Sequence, residues 1–377
     1  MKRLLGCCLL LVVLSPVPIQ AAGLQVMTQN QYLGADLAPL FTASTPEDFN
    51  AAAVAVLQQI AASDPAARMQ RLAAEIAKAM PPVVALQEVF GITCTDAVQA
   101  PGVGCDDALV RRAFVDHLDD TLAALAPMYT TAAMVTNVNT TAIVPAPGIP
   151  VTVQGVPVFI ALVDRDVLLV RSDVAATPVT FPCARPSDEG CNYSIVLQVP
   201  TLFGPLNVER GFVGVDATVN DTTYRVVTTH LEQTDPNNPP LMYHQSVQAM
   251  ELLGILQATP SAGQPLIVVG DFNSSPDEVP LAPTVPTPYV QFIMAGFHDA
   301  WALRPGTLAG YTCCQAPDLL NRHSALSQRI DLLFAFEYPT KVRHAEVLGT
   351  TAAAKTPPPG DRLWPSDHGA LIGELQF

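Results

Sequence analysis

Six short apolar runs in this chain each end in, contain or adjoin an acid, an amide or an imidazole, and that pattern constrains the fold more than any other feature. Asn30 follows LQVMTQ, Glu88 follows VVALQ and His230 follows YRVVTT. Asp271 and Asn273 follow LIVVG, Asp331 sits in RIDLLF, and Asp367-His368 precede ALIGEL. Runs of this length and alternation read as strands. A rigid strand end aims its last side chain into a rim shared with its neighbours, so the set points to one polar site on a sheet structure. One such residue alone reads equally well as a solvated loop position.

The segments between these runs carry helix signals. Thr45-Pro46-Glu47-Asp48 supplies an N-cap, a proline at the first helical position and early acids, so a helix is expected to about residue 62. Asp64-Pro65 repeats the signal for residues 64–80, with Met69, Leu72, Ile76 and Met80 as its apolar stripe, and Pro81-Pro82 stop it. Further along, the pattern predicts a cysteine-bounded loop at 94–105, a helix at 106–126 and strands near 128–136, 156–164 and 166–171. A Pro- and Cys-rich loop at 178–193 comes next, then a hairpin of 211–219 and 223–231 turning at Asn220-Asp221, and a helix at 240–258. Strand–helix–strand order at the front and hairpins later predict an α/β fold of mixed sheets with helices outside. No repeat at fixed period is present, and the proline-rich runs at 280–288 and 356–359 read as surface loops, so residues 22–377 are expected to form a single domain.

Charged residues make up 14% of the chain and hydrophobic residues 49%, which excludes intrinsic disorder. With 19 Lys and Arg against 34 Asp and Glu, a broad basic surface gripping nucleic acid is also excluded. A metal ion handling phosphate is not, because the ion brings its own positive charge. Lys2 and Arg3, an apolar run at 4–14 and the Pro- and Ala-containing SPVPIQAA at 15–22 form a secretory signal, too short to be a stable membrane span. Cleavage is expected after Ala21 or Ala22, giving a secreted or periplasmic protein. The mature chain would keep Cys94, Cys105, Cys183, Cys191, Cys313 and Cys314, an even set that reads as disulfides. The local pairs 94–105 and 183–191 close most easily; Cys313 and Cys314 either bridge each other or pair elsewhere. Residues 121–163 carry no charge, which reads as buried strands with a hairpin loop, or alternatively as a lipid-touching loop.

The strand-end residues form a coherent chemical set. Glu88, Asn30, Asp271 and Asp367 are hard oxygen donors suited to Mg²⁺ or Mn²⁺. His230 and His368 could share proton transfers, with Asp331 orienting one of them. No GxSxG, HExxH or Walker A pattern competes with them. His117, His323 and His344 read as surface or structural residues, His244 and His298 match no motif, and Trp301 and Trp364 read as packing. Asn139, Asn192 and Asn220 lie in glycosylation sequons, relevant only in a host that uses them.

LQVMTQNQYLGADL (24–37), VVALQEV (83–89), VVTTHLE (226–232), VVGDFNSSPDE (268–278), RIDLLF (329–334) and WPSDHGAL (364–371) together resemble the endonuclease/exonuclease/phosphatase superfamily, in its usual motif order. The segment 310–334 further resembles secreted members of that group. The resemblance implies a deoxyribonuclease-I-like four-layer sandwich, two mixed β-sheets flanked by helices, hydrolysing a phosphoester with a divalent metal. It implies Glu88 as metal ligand with Asn30 beside it, and Asp367 next to metal and phosphate. Asn273 would bind a phosphate oxygen, with Asp271 orienting or helping to ligate. His230 would contact the phosphate or leaving oxygen, and Asp331 would pair with His368, the base that activates water. Gln29 departs from the pattern, standing where an aromatic residue is common, and no extra tyrosine of the repair nucleases has a counterpart. Arg165 and Arg210 are candidate phosphate contacts or acid-paired structural residues. The substrate would be a nucleic acid, with a sphingomyelinase-like phospholipase as the alternative and a non-catalytic binding module as a further one, and the protein is expected to be a monomer.

Overall fold

The computed structural model describes residues 23–377 apart from 143, 145, 146, 203, 236, 237, 283 and 359, so the expected leader at 1–21 lies outside the described residues. The first half of the chain runs β1 (Gly23–Asn30), α1 (Ala38–Thr42), α2 (Pro46–Ala62), α3 (Pro65–Ala79), β2 (Val83–Gln87), β3 (Gly91–Asp96), α4 (His117–Leu125), β4 (Tyr129–Asn139), β5 (Ile149–Val153) and β6 (Val156–Arg171). The second half runs β7 (Ala175–Pro178), β8 (Pro186–Ser187), β9 (Gly190–Asn192), β10 (Leu197–Thr201), β11 (Gly204–Val208), β12 (Gly211–Val219), β13 (Thr222–His230), α5 (Pro239–Ala258) and β14 (Leu266–Asp271). It ends with α6 (Pro288–Met294), β15 (His298–Asp299), α7 (Ala300–Leu303), β16 (Asp331–Ala335), β17 (Lys341–Leu348) and β18 (Ala370–Gln376).

These strands make two large mixed sheets. One has the order β17-β18-β1-β2-β6, with β1 parallel to β2 and antiparallel to β18. The long β6 pairs with β2 and β4 through its second half and with β3 and β5 through its first, so it carries the sheet beyond its own rim. The other sheet has the order β15-β16-β14-β13-β12-β9-β8, with β13 parallel to β14. A two-stranded hairpin, β10–β11, stands apart from both.

Alternation of side chains along each strand explains the layering. Val26, Ala85 and Leu168 of the first sheet meet Val215, Val226 and Val269 of the second in one buried cluster. The intervening residues Met27, Val84 and Leu86 face outward onto Ala73 and Ile76 of α3 and Leu118 of α4. On the far side Val227, Val268 and Phe334 receive Leu252 of α5 and Phe292 of α6. Each fully buried Val, Leu or Phe stabilises by about 1.5–3 kcal/mol, so both faces of each sheet contribute. The fold is therefore the expected four-layer α/β sandwich. α2 packs elsewhere, its Phe49, Val56 and Leu57 meeting Ile92 of β3 and Val151 and Val153 of β5.

Local signals worked where one residue decides the backbone. Thr45 caps α2 by accepting from the Asp48 N–H at 3.1 Å, and Asn220 and Asp221 take φ of 50° and 62°, the left-handed pair a tight hairpin needs. Three expectations fail. The helix predicted at 106–126 forms only at His117–Leu125, because Asp116 is the residue that caps it, accepting from the N–H groups of Leu118 and Asp119. The strands predicted at 156–164 and 166–171 are one, since Asp164-Arg165-Asp166 continues the ladder without turning. Met80 leaves the stripe of α3: it sits at the C-cap with φ 53° and is 40% exposed. The uncharged stretch from 121 onward supplies α4, β4, β5 and the first half of β6. Cys94 pairs with Cys105, Cys183 with Cys191 and Cys313 with Cys314. Among the described residues no helix is long and apolar enough to cross a membrane.

Candidate active site

The eight residues singled out from the sequence meet at one end of the two sheets. Asn30 closes β1 and Glu88 follows β2, while His230 and Asp271 end the parallel neighbours β13 and β14, opposite one another in register. Asp331 begins β16 opposite Asp271, and Asp367-His368 lie just before β18. Left-handed backbone at Tyr32 (φ 58°), Glu88 (φ 53°) and Asn273 (φ 47°) ends these strands sharply, a strain that the surrounding packing must hold. Gly270 is required for a different reason: a Cβ there would lie 2.0 Å from the Thr229 carbonyl oxygen.

Two hydrogen-bonded groups form the site. In the first, the Asn30 amide nitrogen donates to Glu88 Oε1 and to Asp271 Oδ2, each at 3.0 Å, and its Oδ1 accepts from the Tyr32 N–H at 2.9 Å. Asn30 thus holds two carboxylates together and turns its oxygen to the backbone. His368 Nδ1 lies 2.7 Å from Asp331 Oδ2, with Nε2 3.8 Å from Asp271 and 4.0 Å from Asp367. In the second group, the Asn273 amide nitrogen sits 3.2 Å from His230 Nε2 and donates to the Leu231 carbonyl at 3.0 Å. The Asn273 backbone N–H donates to Asp271 Oδ1 at 2.8 Å, which links the two groups.

Burial and mutual charge set the protonation states. Burial, with Asp331 adding to it, pushes Asp271 up to about 7. Burial also pushes Asp367 up to about 6, His368 opposing and Glu88 adding. Burial works against a charge on His368, yet Asp331, Asp367 and Asp271 outweigh it and hold that imidazole well above its usual value. Burial, then Arg210 and His368, hold His230 well below its usual value, so it is neutral. Carboxylates crowded until their pKa values rise make a site short of positive charge, and Glu88, Asp271 and Asp367 are the hard oxygen donors a divalent cation takes. Asp271, Asp331 and His368 bring one ligand atom each within 4.8 Å of one another, a closeness that comes from the His368–Asp331 hydrogen bond with Asp271 beside it.

The surrounding residues were only partly foreseen. Arg210 lies against the site, one guanidinium nitrogen 3.1 Å from His230 Nδ1, and pairs with Glu232 at 3.5 Å. Arg165 does not reach the site: its Nη2 lies 2.8 Å from both carboxylate oxygens of Asp116. Arg68 of α3 was missed. It is fully buried and donates to the carbonyls of Ser63, Gln31, Tyr32 and Pro365 at 2.9–3.1 Å, so it fastens the loop after Asn30 to the loop before Asp367. An arginine beside the apolar stripe of a helix was the available signal. Asp164 and Asp166 were also missed; both are buried, and burial pushes Asp164 up to about 7, with Arg210 opposing. Gln29 puts its amide nitrogen 3.5 Å from the His368 carbonyl. His117 takes the structural one of its two expected roles: it is buried, and burial lowers it to about 3. His323 and His344 are exposed, and Trp301 and Trp364 pack as expected.

The site opens into a cleft of about 720 Å³, within the range of small-molecule sites. A sequence model of the endonuclease/exonuclease/phosphatase family matches residues 49–368, most of the chain. No curated protein matches it in sequence. Among solved structures, an endonuclease/exonuclease/phosphatase family protein from Bacteroides thetaiotaomicron aligns at TM-score 0.52 and 15% identity, over 95% of this chain and 99% of that one. One from Beutenbergia cavernae aligns at TM-score 0.46 and 19% identity, over 94% and 72%. The human Nocturnin catalytic domain aligns at TM-score 0.49 and 17% identity, over 94% of each.

Proposed function

Because this chain belongs to the endonuclease/exonuclease/phosphatase family, we propose that it is an exported phosphoesterase that hydrolyses phosphodiester bonds with a divalent metal, Mg²⁺ or Mn²⁺. The observation that carries the proposal is the His368–Asp331 pair, set against Asp271 and Asp367 where Glu88 and Asn30 converge. Glu88 and Asp367 would hold the cation, with Asp271 and Asn30 beside them; once bound it neutralises the phosphate and stabilises charge on the leaving oxygen.

The chain's own residues do the rest. Asp331 fixes the Nδ1 side of His368; a cation offsetting Asp271 and Asp367, two of the carboxylates that hold the ring protonated, would leave Nε2 free to take a proton from the attacking water, a contribution of roughly 10²–10⁴ in rate. His230 is held neutral, and its one N–H and the Asn273 amide, which now face each other, are the groups that would turn to a phosphate oxygen and the leaving oxygen. The protein acts as a monomer after export, in the periplasm or outside the cell.

Nucleic acids and phospholipids both carry such a bond, nuclease-type cleavage being the form the family resemblance puts first. The test is hydrolysis of bis(p-nitrophenyl) phosphate and nicking of supercoiled plasmid by the purified protein. The expected outcome is turnover of the soluble diester with Mg²⁺ or Mn²⁺, abolished by EDTA and by His230→Ala. No turnover with either cation, or turnover that survives EDTA, refutes the proposal.

A further inference from the structure

Three chain segments leave the site with the same polarity. Along the chain after β2, Glu88, Phe90 and Ile92 line the cleft in turn; along β6 it is Asp164, Leu162 and Ile160. Along β11 and the link that follows it, the set is Arg210, Val208 and Leu206. The β6 set has the period of two that puts residues on one strand face; in the other two sets Glu88 and Arg210 sit just outside the strands that carry the apolar members. In every case the charged member lies at the chemical end and the apolar members lead away from it. The gradient extends over about 13 Å, the length of four residues of strand.

The cleft beyond the charged end is walled by apolar side chains from unrelated elements. The hairpin β10–β11 pairs Leu197 with Val208 and Val199 with Leu206, and these face the cleft while Gln198 and Asn207 face solvent. Opposite stand Phe41 of α1 and Val56 of α2. Among the described residues lining the cleft, the sole Lys or Arg is Arg210, which already pairs with Glu232. A nucleic acid presents phosphates at every step and asks for several cations along its path. An amphiphile asks for one charged end and an apolar trough.

We propose that the cleft binds the apolar chain of an amphiphilic phosphodiester, with the phosphate at the Glu88–Asp271–His368 end and the chain along the β10–β11 hairpin. This rests on the phosphodiesterase reading and names its substrate class. It also accounts for the uncharged stretch of the sequence, since Ile149 and Val151 of β5 and Ile160 and Leu162 of β6 all line this trough. The reaction is hydrolysis: water forms a new P–O bond, the bond to the leaving alcohol breaks, and one proton is released to it or to solvent.

The test uses p-nitrophenyl phosphodiesters whose second ester group is ethyl, hexyl or decyl, each below its micelle concentration, with the purified protein and Mg²⁺. Full burial is worth about fourfold per methylene, so kcat/KM should rise at least about a hundredfold from ethyl to decyl. Leu206→Asp should cut the decyl rate at least about tenfold and leave the ethyl rate within about twofold, which also reports that the variant is folded. A chain-length profile that is flat while ethyl ester is turned over refutes the trough and leaves the phosphodiesterase reading standing. If no ester is turned over, calorimetry with decyl phosphate and ethyl phosphate decides. Decyl phosphate binding about a hundredfold tighter, with a negative heat-capacity change and weakened by Leu206→Asp, supports the trough, and equal affinities refute it.

Discussion

Asp331→Asn separates a catalytic pair from a structural one. Asp331 is fully buried, its Oδ2 2.7 Å from His368 Nδ1, and its Oδ1 has no hydrogen-bond partner. An asparagine fits the same space but must put an NH₂ in one of those two places. At the Oδ1 position the NH₂ would be a buried donor without an acceptor, at a cost of about 1–3 kcal/mol. Facing His368 it finds a lone pair on Nδ1, which forces the proton onto Nε2, the nitrogen that should accept from water. Asp331 is also the strongest of the three charges that raise the His368 pKa, so its loss weakens the base electrostatically as well. Both effects act on the proton transfer, so kcat should fall by about 10²–10⁴, or about 3–5 kcal/mol on the barrier. KM for bis(p-nitrophenyl) phosphate should stay within about threefold, because the phosphate contacts are untouched. The double variant with His368→Ala should be no slower than His368→Ala alone, since the two residues act as a unit. A kcat within about fivefold of wild type, or losses that multiply in the double variant, would show that the pair does not transfer the proton.

The other predictions concern metal, pH and stability. Saturating Mg²⁺ should raise the melting temperature of the wild-type protein, by linkage worth about 2.7 kcal/mol at a hundred times Kd, and Glu88→Gln should lose most of that shift; an undiminished shift in a thermal scan would place the cation elsewhere. Burial raises both Asp164 and Asp166, so between about pH 4 and pH 7 the folded chain keeps protons that the unfolded chain has released. Stability from this pair is therefore full below the ordinary carboxylate range and declines as pH rises towards 7; Asp166→Asn should flatten that decline in EDTA, read as melting temperature against pH, and an unchanged slope contradicts it. Arg68→Met leaves the carbonyls of Gln31, Tyr32, Ser63 and Pro365 without their donor, so urea unfolding should show a loss of about 3 kcal/mol or more; a loss under about 1 kcal/mol would mean that those carbonyls find other partners.

What was legible in the sequence was whatever a single strand end or cap encodes. Asn30, Glu88, His230, Asp271, Asp331 and His368 could be read because an apolar run that stops at a polar residue marks both a strand and its tip. Mixed sheets with helices outside followed from the same runs, and the stacking of two sheets into four layers came from the family resemblance. Two of the misses share a cause: a residue's local pattern matched a common surface role while tertiary context gave it another. Asp164-Arg165-Asp166 looks like a turn, but Asp164 and Asp166 are buried in the interior beside Arg210. Arg68 looks like the polar flank of an amphipathic helix, but the two site loops close over it. The helix start at Asp116 was visible as a cap, and the apolar residues ahead of it obscured the boundary. The trough was hidden altogether, because its walls come from α1, α2, β5, β6 and the β10–β11 hairpin, segments scattered between Ala38 and Val208.

The charge balance of the site has a consequence for how a substrate is held. Glu88, Asp271, Asp331 and Asp367 face one another with His368 among them, and the guanidiniums around that set are engaged elsewhere: Arg210 answers to Glu232 and Asp164, and Arg68 donates to backbone carbonyls. A bare phosphate entering this field meets more negative charge than positive, so the chain alone offers it little affinity. The trough is indifferent to that field, because apolar burial carries no charge. In the amphiphile reading the two halves of the substrate are therefore bound by independent means: the chain by area removed from water, and the phosphate by whatever neutralises the carboxylates. KM for a long-chain ester should then depend mainly on chain length and kcat mainly on the cation, so that EDTA removes turnover while leaving most of the decyl chain's binding in place. A substrate held mainly through its phosphate would lose affinity and rate together on chelation, and that difference separates the two arrangements within one titration.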